Sequence, residues 1–325
     1  MAEITCREAL NQALREEMER DESVVIFGED VAEYGGSFKV TQGLLDQFGE
    51  DRCFDTPISE AAIVGMTTGL AMSGLRPVGE LMTVNFAYLA FDQIVNHMAI
   101  MRYMFAGQVT LPAAVRMPGG GGHQLGAQHA NSLESLFVHR PGIKVVYPAL
   151  PADYKLLLKA SIRDDNPVIF LEHEGLYNKK GEVPDDAGAG TIGEAAVLRE
   201  GDDVSLIGYG AMTFVALEAA EELEEQDVSA EVVDLRSLRP WDKETVVNSV
   251  ASTHRAVVVE ECPPMCSVAQ EVATTIYQQA FDELDAPVEI VAGEDVPMPY
   301  AKELEQACIP HSEDVVEAAR KALAL

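Results

Sequence analysis

The sequence predicts an α/β protein with two doubly wound domains. Short apolar runs rich in β-branched residues alternate with helical patterns. The alternation fades between Gly175 and Asp203 into a polar stretch punctuated by glycine, and it then resumes. Such alternation is typical of mainly parallel sheets covered by helices. The 325 residues suffice for two domains with separate cores.

The first domain opens with a helix and continues as alternating strands and helices. Thr5-Cys-Arg-Glu8 fits a capping box, and apolar residues follow at helical spacing. A buried strand at 24–27 ends in Gly28-Glu29-Asp30, which places two acids at the carboxyl end of a strand. Further strands are predicted at 77–81, 113–117, 143–147 and 168–171, with helices at 86–104 and 152–163.

The second domain repeats the alternation after the polar stretch. Its predicted strands are 204–208, 231–235, 256–260 and 288–291, and its predicted helices are 214–225, 244–251 and 268–281. Because the periodicity is lost between Gly175 and Asp203, we place the domain connection there and take 1–186 and 187–325 as the two domains.

Composition and charge narrow the class of protein. The chain carries 54 acidic against 23 basic residues, a formal charge of −31, which argues against nucleic-acid binding because phosphates would be repelled. A basic protein partner and an adaptation to a salty cytoplasm both account for the acid excess. No apolar run is long enough to span a membrane and the first residues lack a signal-peptide pattern, so we expect a cytosolic protein. The five cysteines are scattered, and we expect reduced thiols.

One acidic residue stands at a predicted strand-to-helix corner. Asp55-Thr-Pro-Ile-Ser-Glu60 runs into a small-residue helix pattern, with Ser59 as the predicted N-cap and Glu60 in the first turn. Open α/β sheets bind ligands at such corners, and a carboxyl group in a dry crevice can share a proton with a ligand nitrogen. An acid favoured by the helix dipole explains the same pattern, so both interpretations stay open on this segment alone.

Two glycine-rich segments and one histidine are further candidates. Pro118-Gly119-Gly-Gly-Gly122-His123 predicts a flexible loop that can approach a ligand, but it lacks the lysine of a phosphate-binding loop. His129 follows this loop, and taken alone it favours a structural role. Gly208-Tyr-Gly210-Ala-Met-Thr213 matches half of the dinucleotide fingerprint, because Thr213 replaces the third glycine.

Two other patterns have both a structural and a binding interpretation. Phe86, Tyr88 and Phe91 share helical spacing, which favours core packing over cofactor stacking. Asp164-Asp165-Asn166-Pro167 is typical of a turn, with ion binding as the alternative.

Several segments together resemble one protein family. They resemble the beta subunit of the decarboxylating component of 2-oxo acid dehydrogenase complexes, and within that family they are most similar to the pyruvate-specific type. The resemblance covers nearly the whole chain, and its motifs are specific as a set. In chain order these segments are Gly28-Glu29-Asp30-Val31, Asp55-Thr-Pro-Ile-Ser-Glu60, Glu80-Leu-Met-Thr-Val-Asn85-Phe86, Ala127-Gln128-His129, Arg140-Pro-Gly-Ile-Lys-Val-Val146 and Asn166-Pro-Val168.

The resemblance implies a fold, a cofactor and roles for individual residues. It implies a thiamine-enzyme pyrimidine-binding domain followed by a transketolase-type C-terminal domain, with thiamine diphosphate as cofactor. By the same match, Glu60 would bond the pyrimidine nitrogen opposite the amino group, and Phe86 would pack against that ring. His129 would lie at the substrate end, positioning the bound acyl group or the incoming lipoyl group and transferring a proton. Glu29 aligns with an acid of a polar tunnel that connects two active sites.

The resemblance also implies a structural potassium ion, which some members bind. The aligned oxygen ligands belong to Ala113, Ser161, Ile162, Asp164 and Asn166. Leu89 departs from some members of the family, which have a polar residue there, and His123 occupies a position that varies in type. The resemblance therefore does not define the substrate pocket at these two positions.

One half of a thiamine site is missing from the sequence. Thiamine enzymes hold the diphosphate through Mg²⁺ on a Gly-Asp-Gly segment and a later asparagine, and Gly201-Asp-Asp203 is the nearest segment here. We therefore expect an alpha subunit to hold the Mg²⁺ and the diphosphate, in an α2β2 heterotetramer. The acidic surface would suit the basic subunit-binding domain of a dihydrolipoyl acyltransferase, whose lipoyl domain would receive the acyl group from the 2-oxo acid.

Alternative functions come from the same class and from others. Branched-chain 2-oxo acid and acetoin dehydrogenases use related subunits, and Gln128-His129-Ala-Asn-Ser-Leu-Glu134 favours the pyruvate type. A noncatalytic assembly subunit and a nucleotide-binding subunit that uses Gly208 to Thr213 are the alternatives from other classes.

Overall fold

The computed structural model describes residues 2–184 and 188–325. Residue contacts divide the chain into two compact units. Unit 1 comprises Met1–Gly119 and Leu136–Ile192, and unit 2 comprises Gly120–Ser135 and Gly193–Leu325. The predicted boundary between residues 186 and 187 lies outside the described residues, and it stays a prediction. Unit 2 includes one segment from the first half of the chain, Gly120–Ser135, which the sequence placed in the first domain.

Unit 1 is built on a parallel sheet. Its main strands run in the order β6-β7-β5-β4-β2-β3, and all these pairings are parallel, as predicted. Two further strands, β1 and β8, pair antiparallel. The strands are β1 (Ala2–Thr5), β2 (Val24–Gly28), β3 (Cys53–Asp55), β4 (Arg76–Glu80), β5 (Ala114–Gly119), β6 (Lys144–Val146), β7 (Val168–His173) and β8 (Lys180–Val183).

Helices follow most of these strands. The predicted capping box of Thr5 and Glu8 is confirmed, and it begins the first helix. The α-helices up to residue 184 are α1 (Cys6–Arg20), α2 (Leu44–Phe48), α3 (Glu60–Met72), α4 (Ala87–Asp92), α5 (Met101–Met104), α6 (Glu134–Val138) and α7 (Pro151–Arg163).

The prediction of one continuous helix at 86–104 is wrong. This segment is a 3₁₀ helix (Val84–Phe86), then α4, a π-helical turn (Gln93–Met98) and α5. The N–H of Ala99 donates to the carbonyl of Ile94 at 2.9 Å, the five-residue spacing of a π turn. The carbonyl of Ala99 lies against Gly142, where a Cβ would be 1.9 Å away, so this part of the segment is shaped by tertiary packing.

Unit 2 contains a five-stranded sheet in the order β14-β13-β10-β11-β9. The edge strand β9 is antiparallel to β11, and the other pairings are parallel. Helices α8 and α12 share one hydrophobic core with strands of this sheet. The elements are β9 (Ala196–Arg199), β10 (Val204–Gly208), β11 (Ala230–Asp234), β12 (Ser237–Arg239), β13 (Ala256–Val259), β14 (Glu289–Val291), α8 (Ala211–Glu224), α9 (Lys243–Thr253), α10 (Val268–Gln279), α11 (Lys302–Gln306) and α12 (Ser312–Leu323).

Two expectations from the sequence concern membrane-spanning segments and cysteines. Among the described residues, no helix combines the length and the apolar character needed to cross a bilayer. All five cysteines are free.

Candidate active site

Polar residues lie side by side in unit 1 where β3, β2 and β4 end next to the middle of β5. The strand register puts Asp55, Gly28, Glu80 and Arg116 in one row across the sheet. Two acids follow members of this row in the chain: Glu29 comes directly after Gly28, and Glu60, five residues after Asp55, is the first residue of α3. This edge of the sheet is therefore rich in carboxyl groups, and its role in ligand binding stays a prediction.

Glu29 and Glu60 are buried neighbours at this edge. Their exposed fractions are 5% and 4%. Burial raises the pKa of the Glu29 carboxyl, and the negative charges of Glu60 and then Asp30 raise it further. Glu29 is therefore more easily protonated than an exposed glutamate.

Hydrogen-bonding capacity at this edge is only partly used. Within residues 2–184 and 188–325, Oε1 of Glu29 and Oγ1 of Thr56 are buried without a hydrogen-bond partner. They lie near each other along the backbone, since the N–H of Thr56 donates to the carbonyl of Gly28 at 2.9 Å. Buried polar atoms usually have partners, so these two oxygen atoms have hydrogen-bonding capacity left for a polar ligand.

Local packing explains why the chain takes this path. A Cβ at Gly28 would lie 2.5 Å from the carbonyl oxygen of Glu80, so only glycine allows β2 to approach β4 this closely. The Asp55 carboxylate accepts hydrogen bonds from the N–H groups of Ala32 (2.7 Å) and Glu33 (3.1 Å). Asp55 thus fixes the segment after Glu29 rather than facing a ligand.

The predicted helix start at Glu60 is confirmed, but the predicted cap is only partly so. Ser59 occupies the N-cap position of α3. Within the described residues, its side chain makes no capping hydrogen bond. Its φ of −162° and ψ of 87° depart from the usual N-cap geometry. The side chain of Ser59 therefore leaves the amides of the first turn, next to Glu60, uncapped.

Phe86 lies at the other end of the short segment that follows β4. It is the last residue of the 3₁₀ helix, and its side chain is half-buried. The expectation that Phe86, Tyr88 and Phe91 pack into the core is wrong for Tyr88, which is 56% exposed. The helical spacing of these residues fails as a guide because the segment changes from 3₁₀ to α-helix between them. Leu89 is exposed on α4.

A buried ion network in unit 1 escaped the sequence analysis. Arg116 donates from Nε and Nη2 to Glu172 at 2.7 and 2.8 Å, and it also pairs with Glu80. The Tyr177 hydroxyl donates to Glu172 at 2.7 Å. Burial raises the pKa of Glu80, whereas for Arg116 the two carboxylates outweigh the effect of burial and raise its pKa. The sequence offered one signal for this network, which is an arginine in the middle of a predicted strand.

His129 and His123 lie in the segment grouped with unit 2. Both side chains are exposed. The backbone N–H of His129 donates to the carbonyl of Gly126 at 3.2 Å, which closes a turn. The structure thus brings Glu29 and Glu60 together in unit 1 and places His129 on a separate segment.

The predicted potassium ligands lie around the end of α7. Arg76 Nη1 donates to the carbonyls of Ile162 (3.1 Å) and Asp164 (3.2 Å), and the carbonyl of Ala113 accepts from Val168 at 2.8 Å. A carbonyl oxygen has two lone pairs, so these bonds and a potassium ion do not exclude each other.

Side chains at the same place are also engaged. The Asp164 carboxylate accepts from the N–H and the Nδ2 of Asn166 at 2.9 and 3.0 Å and pairs with Lys144. The Ser161 hydroxyl donates to the carbonyl of Leu157 at 2.7 Å. Residues 164–167 form the predicted turn after α7, and the potassium site stays a prediction.

The two segments of unit 2 that were compared with nucleotide motifs have structural roles. The Asp203 carboxylate accepts the N–H of Ser229 at 2.7 Å, and a Cβ at Gly201 would lie 2.2 Å from the backbone of Ala230. Gly201-Asp-Asp203 is therefore a packed turn. In the Gly208–Thr213 segment, the Tyr209 hydroxyl contacts two buried carboxylates, an environment unfavourable to a phosphate. Among the described residues, no group of three or more His, Cys, Asp or Glu could hold a metal ion.

Family models match both halves of the chain. The Transketolase, pyrimidine binding domain matches residues 2–180, and the Transketolase, C-terminal domain matches residues 193–315. A solved structure described as a split gene transketolase, inactive beta4 tetramer, aligns with a TM-score of 0.80 at 27% identity, covering 99% of each chain. Fold and matches together define a protein of the transketolase type, with a pyrimidine-binding domain followed by the C-terminal domain.

Curated relatives narrow this class. Pyruvate dehydrogenase E1 component subunit beta of Rhizobium meliloti is 50% identical over 321 residues, covering 98% of this chain and 70% of that protein. The corresponding subunit of Rickettsia felis is 46% identical over 319 residues and 98% of each chain. The mitochondrial subunit beta-2 of Oryza sativa is 46% identical, covering 98% of this chain and 86% of that one. The chain belongs to the family of pyruvate dehydrogenase E1 beta subunits.

Proposed function

We propose that this chain, assembled with an alpha subunit, decarboxylates pyruvate on thiamine diphosphate and transfers the acetyl group to a lipoyl group of an acyltransferase. The observation that carries the proposal is the buried Glu60, next to Glu29, at the carboxyl edge of a pyrimidine-binding domain. The relatives named above support pyruvate as the substrate.

The residues at this edge fit the pyrimidine half of the cofactor. An aminopyrimidine offers ring nitrogens and an amino group, and the free hydrogen-bonding capacity of Glu29 and Thr56 matches such a ligand. Thiamine diphosphate, when bound, supplies the electron sink for the loss of carbon dioxide. Glu60 would hold a proton at the pyrimidine nitrogen, and Phe86 would pack against the ring.

Glu29 and His129 would both transfer protons, at different places in the active site. Glu29, whose pKa is raised by burial, would take part in a polar tunnel that passes protons between two active sites. His129 would position the acyl group or the incoming lipoyl group and transfer a proton to it. The predicted potassium ion at Ala113, Ser161, Ile162, Asp164 and Asn166 would be structural.

The partners follow from what the residues of this chain lack. The nearest candidate for an Mg²⁺ and diphosphate segment is the packed turn at Gly201, so the alpha subunit would hold both groups in an α2β2 heterotetramer. The description of the split transketolase as an inactive beta4 tetramer agrees with a chain that needs a partner for activity. The charge of −31 would attract the basic subunit-binding domain of the acyltransferase. Five free cysteines support the cytoplasm as its location.

Replacing Glu60 tests the proposed activity. In the reconstituted heterotetramer we expect Glu60→Gln to lower the rate of carbon dioxide release from pyruvate by about 10²–10⁴-fold, because the amide cannot exchange a proton with the ring nitrogen. Glu50→Gln, at an exposed acid of the same unit, is the matched control and should keep the wild-type rate. Full activity of Glu60→Gln would instead indicate a noncatalytic assembly subunit.

Substrate profiling separates pyruvate from the alternatives. We expect the heterotetramer to have a higher kcat/KM for pyruvate than for 3-methyl-2-oxobutanoate or for acetoin. A preference for 3-methyl-2-oxobutanoate would assign the chain to branched-chain 2-oxo acid oxidation, and a preference for acetoin to acetoin cleavage.

A further inference from the structure

The segment that carries His129 is fastened to unit 2 by buried carboxylates. We call residues 120–135 the histidine loop. The sequence predicts a flexible glycine-rich segment here, but the structure shows backbone amides bonded to acids at two positions, Gly121 and Gln124. These hydrogen bonds fasten the loop at both positions, and their acceptors come from distant parts of the chain.

Glu261 joins the two ends of the histidine loop. Its Oε1 accepts the N–H of Gly121 at 2.8 Å and the hydroxyl of Ser132 at 2.7 Å. Glu261 follows β13 and is 8% exposed. Hydrogen bonds to a carboxylate are shorter and stronger than neutral ones, so a single oxygen atom holds together two points eleven residues apart.

Glu305 holds the loop at a third point. This fully buried residue of α11 accepts the N–H of Gln124 with both carboxylate oxygens, at 2.9 Å each. Gln124 has a φ of 57°, a left-handed conformation that its anchored amide stabilises. Apolar contact adds to this, since a Cβ at Gly121 would lie 2.8 Å from Cδ1 of Ile309.

His129 lies between these anchors in the chain. Gln124 precedes it by five residues and Ser132 follows it by three, and the turn from Gly126 to His129 closes within that interval. Hydrogen bonds to acids thus restrain the backbone on both sides of His129.

We propose that Glu261 is a positioning residue, which acts through the histidine loop to hold His129 where the acyl or lipoyl group arrives. This inference rests on the proposed function of His129. Glu261 accepts hydrogen bonds from the loop itself, so its effect on the reaction would pass through the loop.

The test uses the reconstituted heterotetramer and a double-mutant cycle. We expect Glu261→Ala to lower the rate of lipoyl acetylation by about 10–100-fold, since displacing a reacting group by about 1 Å can cost this much. Glu261→Gln should lose about threefold or less, because the amide oxygen still accepts both hydrogen bonds. Ser132→Ala, which removes one of the two donors, should lie between them. Glu303→Ala, at an exposed acid of α11, is the charge-matched control.

Combining variants shows whether the effect passes through His129. In a His129→Ala background, Glu261→Ala should cause little further loss, because the group it positions is already gone. Hydrogen exchange gives a second reading that does not depend on activity. The amides of the histidine loop should exchange faster in Glu261→Ala and at the wild-type rate in Glu261→Gln.

Two results would overturn the inference. One is an equal loss from Glu261→Ala with and without His129, and the other is unchanged exchange in the loop. Should Glu261→Ala fail to assemble, Ser132→Ala decides by the same two measurements. If the wild-type heterotetramer turned over no pyruvate, the proposed function would fail, whereas hydrogen exchange would still decide whether Glu261 orders the loop.

Discussion

Arg116 shows how a single side chain can hold the ligand edge of a sheet together. It is fully buried, and it pairs with one acid from β4 and one from β7, its two neighbours in the sheet. Two carboxylates against one guanidinium leave an excess negative charge, which agrees with the raised pKa of Glu80. Strand β4 leads to Phe86, so the network supports that segment within unit 1.

Removing the charge of Arg116 should destabilise unit 1. We expect Arg116→Met to lower the free energy of unfolding by about 3–5 kcal/mol, because Glu80 and Glu172 would be left buried without a cation. Glu80→Gln should cost less, since it removes the excess charge and keeps the shape. Urea denaturation of the full chain gives both values. A loss below about 1 kcal/mol for Arg116→Met would contradict this account.

At the scale of elements, strand periodicity was the most informative signal. The predicted strands 24–27, 204–208 and 256–260 match β2, β10 and β13 within one residue, because buried parallel strands are continuous apolar runs. The short strand β3 was not delimited, and α12 was missed although Val315, Ala319 and Ala322 are buried at helical spacing. A helix of this kind is recognisable once the spacing is followed to the end of the chain.

The candidate site could be predicted only in part. The turn, the N-cap position and the helix start within residues 55–60 predicted where Glu60 lies, and its proposed role came from the family resemblance rather than from this segment. The partners of the histidine loop could not be found this way, since Glu261 and Glu305 lie more than a hundred residues away and carry no local pattern. Arg116 lies in the predicted strand 113–117, and its partners Glu80 and Glu172 lie in other strands, so no local pattern marked the network. Contacts that are distant in sequence leave little trace in the local pattern.

The stability of a buried cluster in unit 2, formed by Tyr209, Glu134 and Glu260, should depend on pH near neutrality. The hydroxyl of Tyr209 donates to both Glu134 (2.9 Å) and Glu260 (3.2 Å). Burial raises the pKa of Glu134 to about 7, and burial likewise raises the pKa of Glu260 to about 7. A single phenol proton cannot satisfy two charged acids, so one of them favours its protonated form.

The stability of unit 2 should therefore fall as the pH rises from about 5 to about 8. These acids bind a proton more tightly in the folded state than in the unfolded state. Their contribution to stability is therefore complete at pH values below the pKa of the unfolded state, and it is lost as the pH rises through the pKa of the folded state. Each tenfold difference in proton affinity corresponds to about 1.4 kcal/mol. Glu134→Gln should flatten the pH dependence of the unfolding midpoint. An equally steep profile in that variant would contradict the assignment.

At the scale of the whole molecule, the charge should govern association with the acyltransferase. The excess of 31 acidic over basic side chains would attract a basic domain, and dissolved salt would screen this long-range attraction. We expect the association rate with the subunit-binding domain to fall about tenfold or more between low and physiological ionic strength. Stopped-flow mixing at several salt concentrations measures this. A rate independent of salt would mean that the acidic surface serves solubility alone.

In the proposed heterotetramer, this chain would supply the pyrimidine half of a thiamine site and the alpha subunit would supply the diphosphate half. Calorimetric titration of thiamine diphosphate with Mg²⁺ into each chain alone and into their mixture tests it most directly. We predict tight binding and turnover of pyruvate by the mixture, and neither by this chain alone. Tight binding of the cofactor by the isolated chain, together with decarboxylation of pyruvate, would contradict the account.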